Sequence, residues 1–121
     1  MTVGNYRELK VWDMAMELVT DIYNFTGDFP RHEVFGLSSQ MRRAVVSVPS
    51  NIAEGHAKNS TREYLRHISI AMGSLAELET QLDISLRLDY IGKKEFESVD
   101  TRIETTGKML RGLQKSLKAK C

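Results

Sequence analysis

The chain has 121 residues, a formal net charge of +1, two prolines and one cysteine. That length supports one core and not two, and the near-neutral balance excludes a protein that coats nucleic acid through bulk charge. A lone Cys121 excludes an internal disulfide, and with no His or Cys nearby it makes no metal site; a reducing, cytoplasmic compartment is the expectation.

Arg7 to Thr26 reads as a first helix, because Leu9, Trp12, Met16, Val19 and Tyr23 recur at three- and four-residue spacing, widened by Ala15 and Ile22. Gly27 is expected to end it in the left-handed region, and Pro30 forbids continuation. The connection to Gly36 carries Phe29, Val34 and Phe35, too apolar for a free linker, and is expected to pack over a bundle end.

Leu37 to Ala57 reads as a second helix. Leu37, Met41, Ala44, Val48, Ile52 and Gly55 form one apolar face, and Gln40, Arg43, Ser47, Asn51, Glu54 and Lys58 form a polar ladder beside it. Round the back, Val46, Pro49 and Ala53 are apolar where a solvated helix is polar. Pro49 removes the hydrogen bond to the Val45 carbonyl, a loss of ~3 kcal/mol in an unsupported helix. A kink at Pro49 is expected, the alternative being two shorter helices, and Ser47 and Ser50 are placed to bond the freed carbonyls.

Ser60 and Glu63 make a capping box for a third helix running to Tyr90. Tyr64, Ile68, Ala71, Leu75, Leu78 and Leu82 form its seam. A second seam holds Ile70, Gly73, Ile84 and Leu88, with Glu77 within it; Gly92 closes the helix. A fourth helix over 93–118 has Phe96, Val99, Ile103, Thr106, Leu110, Leu113 and Leu117 on one face and charge elsewhere. The expectation is all-α: a single antiparallel up-down-up-down four-helix bundle over residues 1–121. The surplus apolar positions Val46, Pro49, Ala53, Ile70, Gly73, Ile84 and Leu88 imply an interface between copies.

Glu79 falls between Leu75 and Leu82 and is expected to be buried, which demands a cation. Arg42 and Arg43 are the nearest candidates, giving a structural network of Arg42, Arg43, Asn51, Glu54, Glu77 and Glu79. His32, His56 and His67 have no ligand spacing, and neither a Gly-x-Ser-x-Gly elbow nor a Gly-rich phosphate loop occurs. No catalytic residue, cofactor or metal is assigned, and the protein is read as not an enzyme. Gly73, Ser74 and Ala76 read as a place where two helices approach closely, and Met14, Met16, Met41, Met72 and Met109 as core filler. No apolar run approaches the ~20 residues of a membrane span, and residues 1–8 lack the pattern of a signal peptide.

Lys108, Arg111, Lys115 and Lys118 advance by three, four and three and so share one face; with Arg62 and Arg66 they are candidate contacts to nucleic-acid phosphates. The other reading is that they complement the helix dipole.

Leu9-Lys-Val-Trp-Asp-Met-Ala15, Phe29-Pro-Arg-His-Glu33 and Gly36-Leu-Ser-Ser-Gln-Met-Arg-Arg-Ala44 follow one another with Ser47-Val-Pro-Ser-Asn-Ile-Ala-Glu-Gly55 and Ala71-Met-Gly-Ser-Leu-Ala-Glu-Leu-Glu79. In this order and spacing they resemble the four-helix-bundle proteins encoded within intervening sequences of bacterial 23S ribosomal RNA genes. A related fold is that of the accessory variability determinant of diversity-generating retroelements, which works beside a reverse transcriptase. His56 and Lys58 depart from the family's more usual aromatic and arginine. The resemblance implies a ring-like homopentamer with no established enzymatic activity. Two functions follow: an oligomer that binds RNA, DNA or a nucleic-acid enzyme, or a purely protein-interaction scaffold.

Overall fold

A computed structural model describes residues 5–121; residues 1–4, on which part of the signal-peptide reading falls, lie outside the description. Four helices carry the fold: α1 (Lys10–Thr26), α2 (Leu37–Ala57), α3 (Thr61–Arg87) and α4 (Lys93–Lys118). Short 3-10 turns occupy Tyr6–Glu8 and Arg31–Glu33, and no strand occurs among the described residues. The first helix therefore starts three residues later than its periodicity suggests. Asn5 Oδ1 accepts from the Arg7 amide and closes a separate turn before it.

One core joins all four helices. Ala15, Leu18 and Ile22 meet Met41, Val45, Val48 and Ile52, and Ile68, Leu78, Leu82 and Leu110 complete the interior. On α2, α3 and α4 the buried positions follow the expected seams. On α1 they do so in part: Ala15 and Ile22 of the expected face are buried and Leu9, Trp12 and Val19 pack half-buried on the core, but Val11 and Leu18 are also buried while Met16 and Tyr23 are exposed. Two overlapping three-four patterns exist on α1, and aliphatic residues took the inside.

Helices α2 and α3 form the most extensive pair. Met41 meets Ser85, Ser47 meets Ser74, and Asn51 meets His67, so the two run in opposite directions. Gly55 makes the closest approach. A Cβ there would lie 2.8 Å from the Tyr64 ring and 2.9 Å from His67 Cβ. Pro49 lies inside α2, which is one unbroken helix, and it is buried. With Val45 four residues before it, Pro49 widens the core face.

The ends are fixed by local chemistry. Gly36, the α2 N-cap residue, has no side chain to cap the helix, and Glu33 does so from outside. Its Oε1 accepts from the Leu37 amide at 3.0 Å and its Oε2 from the Tyr90 hydroxyl at 2.8 Å. Gly36 leaves the room: a Cβ there would sit 2.7 Å from Glu33 Oε1. At α3, Ser60 Oγ accepts from the Glu63 amide at 3.2 Å, while the Glu63 carboxylate turns to Arg66 instead of closing the box.

Helix α3 ends at Arg87, earlier than expected. Asp89, at φ 60°, supplies the left-handed residue, and the Tyr90 amide donates to the Ser85 carbonyl at 2.9 Å, a Schellman closure. Gly92 belongs to the next helix, where its amide donates to Glu95. Gly27 is right-handed at φ −62°, so it does not end α1 in the expected way. Phe29 packs between Phe25 and Tyr90, but Val34 and Phe35 do not cover the bundle end; Phe35 is 96 % exposed.

Candidate interaction surface on the second and third helices

The polar ladder of α2 meets α3 in one continuous chain. Asn51 Nδ2 donates to the Ser47 carbonyl at 2.9 Å and to Ser47 Oγ at 3.0 Å. Ser47 Oγ lies 2.8 Å from Ser74 Oγ and, accepting from Asn51, has its own proton for that bond. Asn51 Oδ1 is then an acceptor, so the His67 Nδ1 facing it at 2.9 Å carries a proton. Arg66 Nη2 lies 3.4 Å from His67 Nε2 and binds Glu63 at 3.1 Å.

Ser47 and Ser74 Oγ, both polar atoms of the Asn51 amide and both ring nitrogens of His67 face other members of this chain. Among the described residues no hydroxyl bonds to the His67 imidazole. The arrangement ties Ser47 and Asn51 of α2 to Ser74 and His67 of α3. Ser47 and Ser74 were not singled out from sequence as its members. The signal was present: Ser47 and Asn51 are four apart on α2, and His67 and Ser74 are seven apart on α3, so each pair shares a helix face.

The expected network is not the one that forms. Glu79 is exposed, and it lines a shallow recess with Met72 and Arg111 against α4. Leu78, one residue earlier, takes the inside position. Arg42 turns to α1, donating from Nε to Thr26 Oγ1 at 2.9 Å and from Nη2 to the Tyr23 carbonyl at 3.3 Å. Arg43 and Glu54 are exposed, and Glu77 accepts from Gln81 at 3.2 Å. Of the six residues, Asn51 alone enters the chain described above.

The outer faces of α2 and α3 remain apolar. Val46, Ile70, Ile84 and Leu88 are exposed, Ala53 is half-buried, and Pro49 belongs to the core. Gly73 does not mark a close approach within the chain. Nothing lies within 4 Å of a Cβ built there.

The candidate nucleic-acid contacts are all at the surface. Arg62, Lys108, Arg111, Lys115 and Lys118 are exposed and take part in no ion pair among the described residues, whereas Arg66 is paired with Glu63. No group of three or more metal-ligating side chains occurs among the described residues, and none of their helices is long and apolar enough to cross a membrane.

The fold is thus a four-helix bundle with a polar chain between α2 and α3. The chain belongs to the 23S rRNA-intervening sequence protein family, whose sequence profile matches residues 7–112. Among solved structures it is similar to a protein of unknown function from the S23 ribosomal protein family of Bacteroides thetaiotaomicron VPI-5482. The TM-score is 0.80 at 25 % identity, over 87 % of this chain and 95 % of that one. No curated protein matches it.

Proposed function

We propose that the chain is a non-enzymatic bundle that assembles with further copies of itself through the outer faces of α2 and α3. The supporting observation is that Val46, Ile70, Ile84 and Leu88 stay 39–50 % exposed on the two helices that pack most extensively. Gly73 adds to it. A solvent-facing glycine in mid-helix is less favourable than alanine by about 1 kcal/mol, and a flat surface for a neighbouring helix offsets that. The resemblance to ring-forming relatives makes five the expected number of copies.

Assembly repeats the exposed face of Lys108, Arg111, Lys115 and Lys118 in every copy, and Arg62 joins it. Modest monomer charge then becomes an avid surface for RNA or DNA phosphates. The family's name ties it to 23S ribosomal RNA. A scaffold that holds only proteins, a nucleic-acid enzyme among them, is the second reading.

Light scattering at micromolar concentration tests the first part: a stable monomer mass refutes self-association. Replacing Ile84 and Leu88 by Glu should split the oligomer and leave helicity intact. For the second part, RNA affinity should fall with salt at a slope of roughly −0.7 to −0.9 per contact. Lys115→Glu with Lys118→Glu should abolish RNA binding at unchanged mass. Absence of wild-type binding at low salt leaves the protein scaffold.

A further inference from the structure

Where α1 ends and α2 begins, the surface forms a concavity of ≈ 860 Å³, within the range of small-ligand pockets. Arg31, Arg42 and Arg43 line it together with Ser38, Ser39 and Tyr23, and no acidic residue does. The ion pairs among the described residues use none of these three arginines, whereas Arg66 and Arg102 each hold a carboxylate.

Arg42 is held in place by neutral groups. Its bonds to Thr26 Oγ1 and the Tyr23 carbonyl fix one edge, and its guanidinium lies 4.5 Å from the centre of the Tyr23 ring. The remaining N–H groups have no partner among the described residues. An arginine oriented in advance, stacked and without a counter-ion is a receptor for an oxyanion.

Ser38 is a second, independent pointer. It is only 6 % exposed, lies on the pocket wall, and its hydroxyl has no hydrogen-bond partner among the described residues. The amides around it divide in the same way. Leu37 N–H goes to Glu33 and Gln40 N–H to the Gly36 carbonyl, while those of Ser38 and Ser39 are unbonded. Both serines line the same pocket as the arginines, at the N-terminal end of a 21-residue helix whose Leu37 amide is already held by Glu33.

We propose that this pocket binds the phosphate of a nucleoside monophosphate unit, either free or at the end of a strand. The phosphate lies on the Ser38 and Ser39 amides between Arg31 and Arg43. The pocket exceeds the size of a lone oxyanion, and the face of Arg42 turned away from Tyr23 is a platform on which a base stacks. This site is separate from the α4 cations and does not rest on their role.

Calorimetry with AMP, adenosine and inorganic phosphate tests it, followed by a short oligoribonucleotide with and without a 5′-phosphate. AMP should bind at least about tenfold more tightly than adenosine. Arg42→Gln should lose that difference, and Arg42→Lys should retain part of it. Ser39→Asp places a carboxylate where the helix dipole favours one, so the bundle should stay folded while AMP is excluded. Preference for the 5′-phosphorylated strand over AMP identifies the strand end as the ligand, and the reverse identifies the free nucleotide. Lys115→Glu with Lys118→Glu should leave AMP binding unchanged. Equal affinity for AMP and adenosine, or wild-type affinity in both Arg42→Gln and Ser39→Asp, overturns the proposal. So does a wild type that ignores millimolar AMP while Arg42→Gln changes the oligomer mass, since Arg42 then serves a contact between copies.

Discussion

His67 Nδ1 donates to Asn51 Oδ1 at 2.9 Å across α2 and α3, with His67 only 6 % exposed. Removing the acceptor strands a buried donor, which costs about 1–3 kcal/mol. Asn51→Ala should therefore lower the unfolding free energy by that amount, seen as a lower urea midpoint at an unchanged denaturant slope. An unchanged midpoint would show that water replaces the amide.

Gly55 sets the separation of the same two helices. Alanine there gains helix propensity but meets His67 Cβ at 2.9 Å, close to the backbone, where little can yield. We expect Gly55→Ala to destabilise by about 1–3 kcal/mol, in the range of overpacking, as read by thermal or urea denaturation.

Much of the fold was legible because it is periodic. The seams of α3 and α4 stand clear of their charged flanks, and their buried residues follow from spacing alone. Glu79 was misplaced because Leu75, Leu78 and Leu82 already complete the seam, and a residue one step past Leu78 lies off it. Asp89 was missed because an aspartate in the left-handed region looks, in sequence, like any surface aspartate. The pocket beside Arg42 was illegible for a different reason: it needs Thr26 and Tyr23 of one helix beside Ser38 of another, a juxtaposition only the packing supplies.

Glu79 illustrates the correction quantitatively. An exposed carboxylate with no ion pair among the described residues should be nearly neutral on removal, within about 0.5 kcal/mol. Buried in an arginine network, it would have cost ~3 kcal/mol. Equilibrium unfolding of Glu79→Ala separates the two.

At Asp89 the change should go the other way. A non-glycine residue at φ 60° carries a local strain of roughly 1 kcal/mol, so Asp89→Gly should raise stability by about that much. The check is a rise in melting temperature with unchanged helicity.

The Leu37 amide, then the Tyr90 hydroxyl and, more weakly, His32 hold the Glu33 carboxyl below its ordinary value against a smaller opposing effect of burial. A lowered carboxyl contributes stability that is present above its unfolded value and lost as pH falls through the folded one. Its bond to Glu33, then burial and the carboxylate's charge, push the Tyr90 hydroxyl up. That contribution is present below the ordinary tyrosine value and lost as pH rises through the folded one. Glu33→Gln should flatten the acid limb of the melting-temperature profile, and Tyr90→Phe should flatten the alkaline limb.

The carboxylate of Glu33 fills the space a Cβ on Gly36 would need, so the two positions are one heritable unit. Among descendants of this sequence, a side chain at 36 should be tolerated only where 33 has already lost its reach. Where the glutamate persists, so should the glycine. Turnover at these two sites is then expected to come in pairs, with glutamate lost first.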